Sequence, residues 1–414
     1  MSLTANARVA TAAGATTGAA ATAVGPSRAA RTAVLSAASL TIMAAAVIAP
    51  SLPAMAEVYQ DDVLVRLALT ITSLAIGLSA PFAGLLTDRL GRRPVLLGGL
   101  VLYAAAGTAG LVVTDLSVLL ATRAALGLAV GAVTTAVTAQ LTDWFSGPAR
   151  ATYLAFQQAA ASLGGVALLP LAGVLASTGW RAPFWLYAAA VPVAVLVLVT
   201  VRDAAPGGAA PVARPPAPAD GVPDSGRTSL LRRRVLGLYA LAFAATAVFY
   251  MAPTQLPFLL GELGAGPALV GVAIAGTTLT GLLGSLAFPT VRRRLSPAAI
   301  TLTGVVALGT GWFLVGRADG VTVVVAGLLV GGLGVGLTVP NLNLRLGELA
   351  PAARRGQVLA GLVTGVFLGQ FASPIAVGPL VAAAGLSGAF TWAGLVTAVG
   401  AAVAAPLLLR PRRT

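Results

Sequence analysis

The chain has 414 residues, of which 57% are hydrophobic and only 9% charged, and its mean hydropathy of +0.92 lies far outside the range of soluble domains. Its net charge of +14 comes from 26 arginines without a single lysine, and cysteine and histidine are both absent. That excludes thiolate chemistry, disulfides, imidazole bases, Schiff-base lysines and the usual zinc ligands, so neither an enzyme nor a resident cofactor is expected.

Residues 1–31 are rich in Ala, Thr and Gly and predict a disordered cytoplasmic tail. Apolar runs long enough to cross a hydrocarbon core of about 30 Å as helices then recur along the chain. The first six cover 32–55, 66–87, 94–113, 117–141, 151–177 and 184–201. The first ends in Ala54-Met55-Ala56, the small-x-small form of a leader cleavage site, but it exceeds a leader's usual apolar core of about 7 to 15 residues and reads as a span. Residues 202–234, where Pro, Gly and charge replace the apolar background, predict a cytoplasmic linker. Six further runs follow at 235–260, 268–290, 298–316, 321–344, 356–383 and 389–409, before a short cytoplasmic tail at 410–414. Their length and lack of strict alternation predict helices rather than a barrel. The fold class is an all-α polytopic membrane protein, with twelve transmembrane helices in two pseudo-symmetric six-helix bundles, 32–201 and 235–409.

The arginines fix the orientation. With the N-terminus in the cytoplasm, 22 of the 26 fall on the inner side, while Arg66, Arg181 and Arg317 fall outside and Arg123 lies within a span. The basic charge is therefore a topology signal, and a nucleic-acid partner is not expected. Both termini are expected in the cytoplasm, with the chain a multi-pass monomer of the inner (plasma) membrane lipid bilayer.

The halves repeat. An ungapped alignment at an offset of 205 pairs Gly127 with Gly332, Gly131 with Gly336, Asp143 with Glu348, Arg150 with Arg355, Gly164 with Gly369 and Gly173 with Gly378. Prolines recur near the outer ends of spans 1 and 7, at Pro50 and Pro53 and at Pro253 and Pro257, where they should loosen the helices. Parallel repeats of this kind place a substrate site between the halves near the midplane. The cluster Gly331-Gly332-Leu333-Gly334-Val335-Gly336 lies inside an apolar span and reads as small-residue helix packing rather than a nucleotide turn.

The stretch Gly84-Leu85-Leu86-Thr87-Asp88-Arg89-Leu90-Gly91-Arg92-Arg93 places four charges between spans 2 and 3. Positive-inside bias accounts for Arg89, Arg92 and Arg93, and Gly91 relieves the turn, but the bias does not account for Asp88. Gly84, one turn before Asp88, allows close approach of a neighbouring helix beside the carboxylate. In residue identity, spacing and position the stretch resembles the loop signature of the major facilitator superfamily, and the resemblance in topology covers the chain after residue 31. Arg123 and Gly127 are similar to that family's R-x-x-x-G element on span 4. Gly179 to Tyr187 resembles the entry to span 6 in its twelve-span drug:proton antiporters and sugar-efflux-like permeases. The resemblance implies that Asp88 meets the N-terminus of span 11, near Gly356 and Gln357, in the outward-facing state. Arg92 is expected to pair with Asp143, completing a cytoplasmic latch of Gly84, Asp88, Arg89, Gly91, Arg92, Arg93 and Asp143.

Arg123 is the one charge well inside a span, at an insertion cost of about 2.5 to 3.5 kcal/mol. It either snorkels to the outer surface, roughly 9 Å away, or faces a central cavity as the family match implies. It shares a helix face with Gly127, Gly131, Thr134 and Thr138, which suits a cavity wall or a packed interface equally. Gln157 and Gln158 on span 5, Tyr250 and Gln255 on span 7, Asn341 and Asn343 on span 10 and Gln370 on span 11 complete a candidate substrate or proton pathway. Antiporters of the branch carry a membrane-embedded acid, whereas no carboxylate lies at the midplane here, leaving Asp61, Asp62 or Asp88 as proton carriers. The expected function is secondary active export of a small, amphipathic molecule by alternating access, in exchange for protons. An uptake permease or uniporter is the alternative, followed by a non-transporting receptor on the same scaffold.

Overall fold

The computed structural model describes residues 26–202, 225–351 and 354–409, and every regular element among them is helical. Helix α1 is broken, running through Arg28–Ser39, Met43–Ala46, a 3-10 turn at Ala49–Ser51 and Leu52–Tyr59. Then come α2 (Asp62–Leu90), α3 (Arg92–Thr108, extended by a 3-10 turn at Ala109–Leu111), α4 (Leu116–Trp144) and α5 (Gly147–Ala176). Helix α6 opens as a 3-10 helix at Ala182–Ala189 and continues through Ala190–Thr200. The second half holds α7 (Ser225–Phe249, then Met251–Glu262), α8 (Pro267–Arg294), α9 (Pro297–Gly316) and α10 (Val321–Leu349). The stretch Arg355–Leu409 is divided at Gly385, whose φ of 71° and ψ of 178° no helix accommodates, into α11 (355–384) and α12 (386–409). Among the described residues, ten helical stretches are long and apolar enough to cross a membrane, the bent α1 adds an eleventh, and the division at Gly385 gives twelve.

Side-chain caps set several of the starts. Asp61 accepts from the Leu64 amide at 2.9 Å to open α2, and Asp115 does the same for Val118 at 2.9 Å to open α4. Ser27 caps α1 through the Ala30 amide, so the helix begins at Arg28, inside the segment that composition assigns to the tail. In the same way α7 begins at Ser225, inside the expected linker of 202–234. The rest of that linker, the tail up to residue 25 and the tail at 410–414 lie outside the described residues.

Glycine sets how closely the helices approach. A Cβ at Gly127 of α4 would overlap the Thr72 carbonyl of α2, and one at Gly332 of α10 would overlap the Thr277 carbonyl of α8. The repeat offset of 205 relates both members of these two contacts. Likewise, Gly164 of α5 sits against the Ser39 carbonyl of α1, and Gly369 of α11 against the Phe243 carbonyl of α7. The cluster at 331–336 serves two neighbours. Gly332 and Gly336 admit α8, while Gly331 and Gly334 admit Trp312 and Gly304 of α9. Gly332→Leu should therefore lower the midpoint of thermal unfolding in detergent, by an overpacking cost of about 2 to 3 kcal/mol. An unchanged midpoint would show that α8 and α10 separate freely.

Between the bundles, α5 packs against α8 and α2 against α11. The α5–α8 crossing is closest at the end away from the Arg89–Arg93 loop. There Gly173 would place a Cβ 2.6 Å from the Pro267 carbonyl, and Gly271 would overlap the Leu169 carbonyl. At the other end, the basic side, α4 and α5 form no packed interface with α10 or α11 among the described residues.

Candidate functional site

The two halves enclose a cavity of 480 Å³ near the middle of the spans. Its polar lining comes from both bundles: Thr41, Ser73, Thr134, Thr135, Gln157 and Gln158 from the first, and Tyr250, Thr277, Thr278, Asn343 and Gln370 from the second. Phe249, Phe367 and aliphatic side chains from both halves form the rest of the wall. The break in α1 supplies Thr41 and Ile42 to it.

On the side away from the basic loops a line of cross-bundle contacts closes the cavity. The Ser73 hydroxyl of α2 donates to the Tyr250 hydroxyl of α7 at 3.4 Å. Two turns further out, the Arg66 guanidinium lies 4.2 Å from the centre of the Phe258 ring. The spacings match an antiparallel pair of helices, since 66 and 73 on one face of α2 meet 258 and 250 on one face of α7. Arg66 also pairs with Asp62 at 3.3 Å, which offsets the charge at this partly buried position. With the glycine crossing of α5 and α8, these contacts leave the cavity accessible from the basic side.

The structure divides the expected pathway residues. Gln157, Tyr250, Asn343 and Gln370 line the cavity. Arg123, Gly127, Gln255 and Asn341 do not, and here the geometry departs from the sequence expectation. Asn341 is fully buried against α9, donating at 2.8 Å to both the Pro297 carbonyl and the Thr301 hydroxyl. Gln255 is buried on the closed side of α7, and Gly127 is held against α2.

Arg123 neither snorkels nor faces the cavity. It is 1% exposed, and one Nη donates to the carbonyls of Ala106 at 2.7 Å and Gly107 at 2.9 Å. Those carbonyls belong to the last turns of α3, the negative end of its dipole. The guanidinium also lies 5.0 Å from the ring centres of Phe184 and of Tyr187 on α6. Gly107 and Gly110 make room for the two rings, since a Cβ at either position would overlap them. Tyr187 then donates to the Ala44 carbonyl at 2.7 Å, and Tyr103 of α3 donates to the Leu40 carbonyl at 2.9 Å. Both acceptors flank the break in α1, so the buried cation sits behind the cavity wall and anchors the aromatics that shape it.

In the basic loop, Arg92 pairs with Asp143 at 2.7 Å, joining the start of α3 to the end of α4. Arg292 meets Glu348 at 3.6 Å in the other half, where Glu348 is the repeat mate of Asp143. Arg93 donates to the Leu198 carbonyl at 2.8 Å, and Gly91 turns the chain with a φ of 93°. Asp88 and Arg89 are exposed and have no partner among the described residues. Gly84 has nothing within 4 Å of its Cβ direction, so the close neighbour expected there is absent in this arrangement.

Sequence reasoning missed Thr41, Ser73, Thr135, Thr277 and Thr278, whereas Thr134 stands on the α4 face that suited a cavity wall or a packed interface. The repeat carried a signal for three of them, because the offset of 205 places Thr72-Ser73 on Thr277-Thr278.

A bundle pair of this kind, with a polar-lined cavity between its halves and access from one side, defines a polytopic membrane transporter. The family model described as Major Facilitator Superfamily matches residues 34–344 and 238–414, and the chain belongs to that family. It is 26% identical over 304 residues, 72% of each chain, to a 3-(3-hydroxy-phenyl)propionate transporter of Escherichia coli (strain K12). Over 141 residues, 33% of this chain and 27% of the relative, it is 36% identical to a triacylglyceride transporter of Mycobacteroides abscessus. The structure of a nucleoside transporter superposes with a TM-score of 0.71 at 12% identity, over 92% of this chain and 98% of that one, a likeness of fold alone. The protein is thus a transporter rather than an enzyme.

Proposed function

We propose that the chain is a secondary active transporter of the inner membrane that exports a small amphipathic molecule by alternating access, in exchange for protons. The observation that carries this reading is the cavity of 480 Å³, sealed by the α2–α7 and α5–α8 contacts on one side and accessible from the other. Arginines concentrated at the ends of α2, α8 and α10 orient the accessible side toward the cytoplasm, with both termini there. A molecule entering from that side meets amides, hydroxyls and aromatic rings, which suit an amphipathic shape. Relatives handling an arylpropionate and a triacylglyceride agree with an apolar component in the cargo.

No carboxylate lines the cavity among the described residues. Asp61 caps α2 and Asp62 holds Arg66, which leaves Asp88 as the acid free to exchange a proton. The same residue is the movable part of the proposed latch, docking on the start of α11 when the basic side closes.

Inside-out vesicles with an imposed pH gradient test the whole reading, using a panel of amphipathic drugs and sugars together with 3-(3-hydroxyphenyl)propionate. Gradient-driven accumulation is expected. Accumulation that ignores collapse of the gradient would remove proton exchange, and net flux only in right-side-out vesicles would reverse the direction. Asp88→Asn should lower transport about tenfold with the unfolding midpoint unchanged, because an exposed, unpaired carboxylate adds little to stability. Unaltered transport in that variant would dismiss the latch.

A further inference from the structure

We infer that the cavity selects uncharged cargo carrying a hydrogen-bond acceptor, with Tyr250 as the donor and Gln158 and Gln370 as the flanking amides. The inference rests on the carrier reading above and adds the chemical class of what is carried.

None of the lining residues is ionisable in the physiological range among the described residues. A carboxylate or ammonium occluded there would lose its water without gaining a counter-charge, and burial of an unpaired ion is the most unfavourable exchange a binding site can make. The buried charge nearest in sequence to the α4 lining is Arg123, and it is already occupied. Its guanidinium faces α3 and α6, held by two carbonyls at a helix C-terminus and by two aromatic faces. It points behind the wall rather than into the cavity.

What the cavity does offer is a set of uncharged groups with unused capacity. Tyr250 accepts from Ser73, and its own hydroxyl hydrogen is given to no acceptor among the described residues. Gln158 of α5 and Gln370 of α11 have no hydrogen-bond partner among the described residues, so each presents a complete amide, one from either half. Asn343 uses its NH2 group on the Val339 carbonyl at 3.1 Å and leaves its oxygen to the cavity. A primary amide, a lactam or an alcohol can satisfy this arrangement from both sides. Phe249 and Phe367 provide the apolar surface for the remainder of such a molecule.

Matched pairs of probes separate charge from shape. Purified protein in nanodiscs would be titrated with 3-phenylpropionate and 3-phenylpropanamide, and with 4-phenylbutyrate and 4-phenylbutanamide, at a pH where the acids are ionised. The amides are expected to bind at least tenfold more tightly than their carboxylates. Tyr250→Phe should weaken the amides roughly threefold to tenfold, the range for one hydrogen bond. Gln158→Arg, at an exposed position in the cavity wall, should reverse the order and favour the carboxylates. Carboxylates binding as tightly as amides in the wild type would overturn the inference, as would a Gln158→Arg variant that gains nothing for them. Should neither series bind while spin labels across the α2–α7 seam still report two conformations, the cargo class is wrong and the carrier reading stands. A seam fixed in one distance, with no vesicle flux, would instead remove the carrier.

Discussion

Replacing Gly173 by leucine is expected to hold the two bundles apart on the side away from the basic loops and to lower transport about 100-fold, while insertion into the membrane proceeds normally. The first Cβ at this position would lie 2.6 Å from the Pro267 carbonyl and 3.0 Å from the Ala268 Cα, both backbone atoms of α8. Backbone inside a packed helix has nowhere to yield, and overpacking of this kind costs about 3 kcal/mol. The cost falls between the bundles, not within either, so it biases the balance of conformations rather than the fold. A bias of about 3 kcal/mol depopulates the closed arrangement of that side more than 100-fold. The chain contains no cysteine, so Val63→Cys and Glu262→Cys supply unique spin-label sites at the outer ends of α2 and α7. Their distance distribution should shift to longer values in the Gly173→Leu background. Gly378 is the repeat mate and has nothing within 4 Å of its Cβ direction, so Gly378→Leu should leave transport within about twofold. Equal behaviour of the two variants would mean that the α5–α8 crossing does not gate the cavity.

That pair of glycines also marks how far the sequence can be read. The offset of 205 was visible as matched letters, and the structure gives those letters matched contacts at Gly127 with Thr72 and at Gly332 with Thr277. Gly173 and Gly378 are matched by the same alignment, yet one is pressed against α8 and the other faces open space. Both lie near the outer ends of their helices, so the difference arises from how tightly the two crossings, α5 on α8 and α11 on α2, pack at that end, which matched letters do not encode. The polar letters inside apolar spans were found for the same reason that the spans were: each is costly in lipid unless it faces protein or water. Which it faces is a matter of rotation about the helix axis. Gln157, Tyr250, Asn343 and Gln370 turn toward the cavity, whereas Asn341, only two residues from Asn343, turns toward α9.

The main break in α1 carries no mark in the sequence. Pro50 and Pro53 predicted loosening at the outer end, and the 3-10 turn at Ala49–Ser51 lies there. The larger departure, a bend of 42° between Arg28–Ser39 and Met43–Tyr59, begins at Leu40 with no proline nearby. Its carbonyls find partners elsewhere in the chain. Tyr103 reaches Leu40 and Tyr187 reaches Ala44, over sequence separations of 63 and 143 residues, which local propensity cannot anticipate.

Those two tyrosines define the effect expected of Arg123. Arg123→Ala should abolish measurable transport and lower stability by about 3 kcal/mol, through the loss of a large buried side chain and of two hydrogen bonds to the end of α3. The activity loss follows from position rather than from contact with cargo. With the guanidinium gone, Phe184 and Tyr187 lose the group 5.0 Å from their ring centres, and α6 is free to shift against α3. The hydrogen bonds from Tyr187 and Tyr103 then no longer hold the bent segment whose Thr41 and Ile42 form part of the cavity wall. Arg123→Lys should recover part of the stability but little of the transport, because an ammonium can reach a carbonyl yet lacks the plane that lies against two rings. Amide hydrogen exchange separates this account from a simple filling role: the amides of residues 43–47 should exchange faster in both variants, well below the unfolding temperature. If Arg123→Ala lost stability while exchange in that segment and the affinity for cargo stayed at wild-type values, the arginine would be a buried packing residue with no hold on the site.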